Sequence, residues 1–346
     1  MSIKDLLGVD LPIIQAPMAG VQTHELAVAV SNAGGLGSLP CAMLSADALH
    51  AELSALTAKT SKPYNVNFFC HLAPEPSVER EQKWRRALAP YFDELGLDVN
   101  AIPEGVGRRP FGAEAAEVLE TFKPPVVSFH FGLPKPELMA RIRGWGGKII
   151  STATTVDEAR WLQTHGADAI IAQGVEAGGH RGYFLSRDLN TQCGTLALLP
   201  EILRAVNIPV IAAGGIADHK GVETVINLGA IAAQIGTAYL LCTEAATSVV
   251  HRAALQSDAA QVTALTNLFS GGAARGIVNR IMRELGPLSA AAPEFPLAGT
   301  AIAPLRAKAE GAGSGDFSPL WAGQNVSGCK AVSAMQLTRE LAGVGH

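Results

Sequence analysis

The chain has 346 residues, 48% hydrophobic and 17% charged, with a formal net charge of −4. That composition supports a large core and excludes a disordered chain, while the slight acidity and the lack of any Lys/Arg run exclude nucleic acid or an anionic membrane as main partner. The start, MSIKDLLGVDLPIIQ, is not a secretion signal, no stretch reaches the roughly 18 apolar residues of a membrane helix, and five scattered cysteines without CxxC spacing predict reduced thiols in a cytoplasmic, zinc-free protein.

Eight short apolar runs follow one another: Leu11–Met18, Gly35–Pro40, Tyr64–Phe69, Val126–Phe131, Lys148–Thr152, Ala167–Gln173, Val210–Ala213 and Ala232–Thr237. Each is too short for a helix and rich in β-branched residues or alanine, as strands buried on both faces are. Helical patterns fill the gaps, for example His24–Ala33, Ala46–Ala58, Lys135–Arg143, Val156–Gly166 and His219–Leu228. Thr155 with Glu158 three residues on predicts a capping box, and Asp218 predicts the start of the last of these helices. Eight strand–helix units, with no GxGxxG after the first strand, predict an α/β fold of the (β/α)8 TIM-barrel type rather than an open doubly wound sheet. Two regions break the repeat. The expectation is a barrel of residues 1–70 and 111–244, under a smaller, mostly helical cap formed by 71–110 and 245–346.

In such a barrel the active site lies at the C-terminal ends of the strands. There the chain places Ala16, Pro17 and Met18 after the first run, Asn67 in the third and His130 in the fourth. Gln173 ends the sixth and leads into Gly178-Gly179-His180; Gly214-Gly215 follow the seventh, and Gln234, Ile235, Gly236 and Thr237 close the eighth. Glycine loops after successive strands let backbone N–H groups converge on a phosphate, and the helix start at Asp218 adds a favourable dipole. The phosphate could belong to a substrate or a cofactor. The amides of Asn67 and Gln173 suit a ring edge of alternating donors and acceptors, such as an isoalloxazine, with Pro17 and Met18 against its face. The same amides could instead satisfy backbone groups at the strand ends.

His180 is the leading catalytic candidate, because it follows two glycines and an imidazole exchanges protons near neutral pH. The competing role is a contact to its own loop or to phosphate. His130 shares a strand face with Ser128 and is expected to touch the ligand. Glu176 and Arg181 are expected to pair and shape the loop. His24, His50, His165, His219 and His251 fall on helical patterns and read as surface or capping residues, and Tyr183, Lys308 and Trp321 are candidates for gating the pocket.

Taken together, PIIQAPM at 12–18, NFF at 67–69, SFHFG at 128–132, QGVEAGGHRG at 173–182, AAGGI at 212–216 and QIGTAYL at 234–240 resemble the nitronate monooxygenase family. SGGAARG at 270–276 and DFSPLWAGQ at 316–324 extend the resemblance over nearly the whole chain, and EAGGHRG with SFHFG look most like its class I members. The resemblance implies FMN held by Ala16, Pro17, Met18, Asn67, Gln173, Gly178, Gly215 and the run Gln234, Ile235, Gly236, Thr237. It implies His180 beside the flavin and the substrate's nitro group, with His130 lining the substrate pocket. The implied activity is oxidation of alkyl nitronates, propionate 3-nitronate above all, by O2 to a carbonyl compound and nitrite, in a monomer or homodimer. Two other functions compete: an FMN-dependent NAD(P)H reductase of quinones or enoyl thioesters, and a non-catalytic FMN or sugar-phosphate binder. A nucleotide dehydrogenase using a loop cysteine fits poorly, since Cys193 lies well beyond the glycines.

Overall fold

The computed structural model describes residues 2–75, 77–102 and 109–344; parts of the expected cap, at 76, 103–108 and 345–346, lie outside the described residues. In chain order the strands are β1 Ile13–Gln15, β2 Gly37–Pro40, β3 Tyr64–Phe69, β4 Val126–His130, β5 Lys148–Ala153, β6 Ala169–Gln173, β7 Gly179–His180, β8 Val210–Ala213, β9 Ala232–Ile235, β10 Thr263–Thr266 and β11 Ala274–Ile277. Eight of them form one parallel sheet in the order β1-β9-β8-β6-β5-β4-β3-β2. The circuit between β1 and β2 is completed by a parallel bridge between Ile14 and Leu36, with Leu36 N–H donating to Ile13 O (2.9 Å) and Gln15 N–H to Leu36 O (3.0 Å). The predicted TIM barrel is present. Strand ends are trimmed relative to the sequence reading: after Ile235 the backbone turns at Gly236 into a short 3-10 helix, Thr237–Leu241, and cannot continue the ladder.

Period-two alternation decides what faces the barrel interior. Near the start of the strands the inward positions are apolar: Ile14, Leu36, Val126, Ile150, Ala169 and Ile211 pack with Ile3, Leu6 and Leu7 of the N-terminal helix, which plugs that end. Two and four residues further along β4 come Ser128 and His130, four further along β6 comes Gln173, and β3 turns Asn65, Asn67 and Phe69 to the same side. The register sets Asn67 beside Ser128, Phe69 beside His130, and Gln173 beside Ala213, which in turn pairs with Gln234. The interior therefore changes from mostly apolar to polar toward the mouth, with Asn65 of β3, which donates to Ser38 and Ser128, a polar exception at the level of Val126.

A second cluster lies outside the barrel. Trp84, Leu88, Tyr91 and Phe92 of the helix Val78–Glu94 pack with Leu268, Phe269, Ile281, Ala298, Ile302, Leu305 and Phe317. Trp84 Nε1 donates to Ala298 O (3.1 Å), and Arg280 holds Glu94 by two bonds of 2.6 and 2.7 Å. The last helix, Ala334–Leu341, does not join this cluster; Ala334, Leu337 and Leu341 pack among the barrel's own helices and strands, beside Leu26, Val222 and Val225. The segment running from 245 is thus split between the two cores. β10, β11 and β7 form a small antiparallel sheet that ties it back to the barrel mouth.

Trp84→Ala removes the largest ring of the outer cluster and its hydrogen bond. It is expected to cost about 3–5 kcal/mol in urea unfolding, with the loss of hydrogen-exchange protection concentrated in the helix Val78–Glu94.

Candidate active site

The mouth of the barrel holds a cavity whose empty volume, open side included, is about 1330 Å³. Ala16, Pro17, Met18, Asn67, His130, Gln173, Gly178, His180, Gly215, Gln234, Ile235, Gly236 and Thr237 all line it, so the thirteen residues expected to hold cofactor and substrate converge on one space. The chain segments that supply them are far apart, and only closure of the barrel joins them.

The His180 loop is clamped from three sides. Its carbonyl oxygen accepts from His130 Nε2 and from Gln173 Nε2, each at 3.0 Å, while Gln173 Oε1 accepts from Gly182 N–H at 2.9 Å. His130 Nδ1 lies 3.1 Å from Thr152 Oγ1, so both nitrogens of His130 are engaged. Arg181 is fully buried and donates to Gly174 O, Gln173 O and Gln192 Oε1 at 2.6–2.7 Å. Burial, followed by neighbouring Arg275, pushes its guanidinium down to about 10, which leaves it charged at neutral pH. Beyond the loop, His180 Nε2 sits 2.8 Å from Ser270 Oγ. Its ring is surrounded by Phe295 (5.2 Å between centroids), Trp321 (5.5 Å) and Phe69 (6.1 Å). Phe131 completes this aromatic group with φ +68, a left-handed conformation that is costly for a bulky side chain and clusters at functional sites.

The glycine loops after β6, β8 and β9 meet on the same cavity. A Cβ on Gly178 would lie 2.6 Å from the backbone of Ala322 and Gly323, so only glycine lets the two segments cross there. That C-terminal segment laces three loops together: Gly323 N–H donates to Thr237 Oγ1 (2.9 Å), Gln324 N–H to Glu176 O (2.9 Å) and Asn325 Nδ2 to Gly215 O (3.0 Å). At the helix start the Asp218 carboxylate accepts from Gly221 N–H at 2.8 Å and so caps one of the helix's first N–H groups. On the same lining, Gln234 Oε1 is buried without a hydrogen-bond partner.

Several expectations change. Glu176 binds Thr195 through its backbone N–H and hydroxyl (2.9–3.0 Å) and makes no ion pair with Arg181; the arginine takes backbone carbonyls instead. His251 is no surface residue: it is 4% exposed, lines the cavity, and its Nε2 has no hydrogen-bond partner. Of the gating candidates, Trp321 lines the cavity, Tyr183 Oη accepts from Ala273 N–H at the edge of the small sheet, and Lys308 is exposed on a cap helix. Cys193 lies outside the cavity lining, and burial raises its thiol. Ser270, Thr152, Phe295 and Arg275 were not picked out from the sequence. The glycine-rich Ser270–Arg275 stretch was the one available signal, and its partner is set by the small sheet.

The sequence model of nitronate monooxygenases matches residues 1–343. A nitronate monooxygenase of Paraburkholderia phytofirmans is 41% identical over 345 residues, covering 98% of this chain and 93% of that protein. The solved structure of a nitroalkane oxidase from Streptomyces ansochromogenes superposes with a TM-score of 0.90 at 39% identity, over 99% of this chain and 97% of the other. FabK from Thermotoga maritima follows with a TM-score of 0.73 and 28% identity, over 99% and 94%.

Burial pushes the imidazoles of His130 and His251 down to about 4, from an ordinary 6.5. The folded protein keeps them neutral where the unfolded chain takes up protons. Stability from these groups is therefore level above pH 6.5, falls as pH drops from 6.5 to 4, and levels off below. Urea unfolding of wild type and His130→Gln should run level from pH 7 to 6.5 and then diverge by about 1.4 kcal/mol per pH unit down to pH 4.5, the variant losing less.

Proposed function

The chain belongs to the nitronate monooxygenase family of oxidoreductases, and we propose that it oxidises alkyl nitronates, propionate 3-nitronate among them, with FMN and O2 to a carbonyl compound and nitrite, a detoxifying reaction. The observation that carries this reading is the convergence of His180, the strand-end amides and the glycine loops on one cavity. The residues fit the group. Gln234 Oε1 is a buried acceptor in want of a donor, and the loops at Gly215 and Gly236-Thr237 offer backbone N–H groups where a phosphate would sit. Ala16, Pro17 and Met18 would flank the ring, with Asn67, Gln173 and Gly178 beside it.

When bound, the flavin supplies the electron-accepting ring, and the protein supplies position and electrostatics. A nitronate is already an anion with carbanion character, so no strong base is required. His180 orients the nitro oxygens by donating a hydrogen bond, and with a neutral nitroalkane it takes the α-proton. His130, neutral through burial, acts by holding the His180 carbonyl together with Gln173. The aromatic side chains around His180 keep water from the reacting carbon.

Anaerobic addition of propionate 3-nitronate to the purified yellow protein should bleach the flavin without NADH. Rapid reduction by NADH with no response to nitronate would replace this reading by a reductase on the same barrel. His180→Asn is expected to slow nitronate oxidation by about 10²–10⁴-fold, with FMN retained by absorbance.

A further inference from the structure

Ser270 stands on the turn between β10 and β11, 90 residues from His180 in the chain, yet its Oγ lies 2.8 Å from His180 Nε2. It is 4% exposed. The remaining contacts of that hydroxyl are Gly272 N–H, which donates to it at 3.3 Å, and Gly272 O at 3.4 Å. Its position is set by the small sheet: β11 pairs with β7 so that Ala274 faces His180 and Arg275 faces Gly179, and Arg181 N–H donates to Ala273 O at 2.9 Å. The turn itself has no slack. Gly271 adopts φ +89, a Cβ there would meet Pro293 O at 2.2 Å, and its N–H donates to Asn267 O at 2.8 Å. The chain at 293–295 that presses on this turn also carries Phe295, whose ring packs on His180.

We propose that Ser270 is a positioning residue for His180, holding the imidazole by Nε2 so that the rest of the ring meets the nitro group. This rests on the reading that His180 faces the substrate. A hydroxyl suits the task because it both donates and accepts. It donates to Nε2 when that nitrogen is bare. When Nε2 carries a proton, it accepts, and its own hydrogen turns to Gly272 O. The bond therefore survives a change in the protonation of His180, whereas alanine removes this partner from Nε2 and leaves the ring's orientation to its other contacts. Loss of orientation lowers the rate of the bound complex more than its affinity.

The test compares Ser270→Ala, Ser270→Thr and His180→Asn as holoenzymes. Ser270→Ala is expected to lower kcat for a nitronate by about tenfold, with KM within about twofold, flavin absorbance per protein as in wild type, and an unchanged melting midpoint. Ser270→Thr should recover kcat to within about threefold. In ¹⁵N-histidine spectra, the signal that disappears in His180→Asn should move in Ser270→Ala and stay in place in Ser270→Thr. Wild-type kcat and an unmoved signal in Ser270→Ala, with His180→Asn inactive, would overturn the proposal. So would loss of flavin, or a rise in KM alone, since either assigns Ser270 to binding. Wild-type oxidation by His180→Asn would instead remove the role given to His180 itself.

Discussion

A fully buried, charged guanidinium can persist only if its donors are satisfied, and at Arg181 this requirement governs the mouth of the barrel. Its partners are the carbonyls of Gln173 and Gly174 and the side chain of Gln192, with no carboxylate in contact. The bonds fold the chain after β6 back on its own strand end. His180, one residue earlier, is thereby directed into the cavity, and its carbonyl meets His130 and Gln173. Leaving that charge unsatisfied would cost several kcal/mol, so the loop has little freedom to relax.

The other features of the site follow from this pinned loop. Because β7 is held against β11, the segment that carries Ser270 is fixed to the same frame as His180. Because Gly178 lies under Ala322 and Gly323, the C-terminal segment can bridge the loops after β6, β8 and β9. The cavity lining thus combines two chemistries, glycine loops with backbone groups and aromatic rings around a histidine. The neutral state of His130 belongs to the same design: a charged imidazole there would sit near Arg181, and burial keeps the proton off.

Much of this was legible in the sequence because barrel strands obey short-range rules. Strand-end positions, glycine loops and the family resemblance together nominate thirteen residues that share one cavity. The failures have a common cause. His251 sits on a helical pattern like other surface histidines, but its helix is packed by chain arriving from distant positions, including Trp321. The expected Glu176–Arg181 pair was inferred from opposite charges close in sequence; in the fold, Thr195 and the Gln173–Gly174 carbonyls are nearer partners.

What the sequence by itself determined is the barrel class, the strand runs and the residues at their C-terminal ends, since these depend on patterns a few residues long. Only the tertiary structure decided how His180 is held. Its partners come from β4, from the strand before it and from a turn 90 residues later: His130 and Gln173 donate to its backbone carbonyl, and the Ser270 hydroxyl meets its ring. A backbone carbonyl and a serine hydroxyl occur throughout any chain and carry no local signal for such pairings. Barrel closure and the pairing of β7 with β11 are long-range events, and they bring the small sheet against the mouth where the site lies.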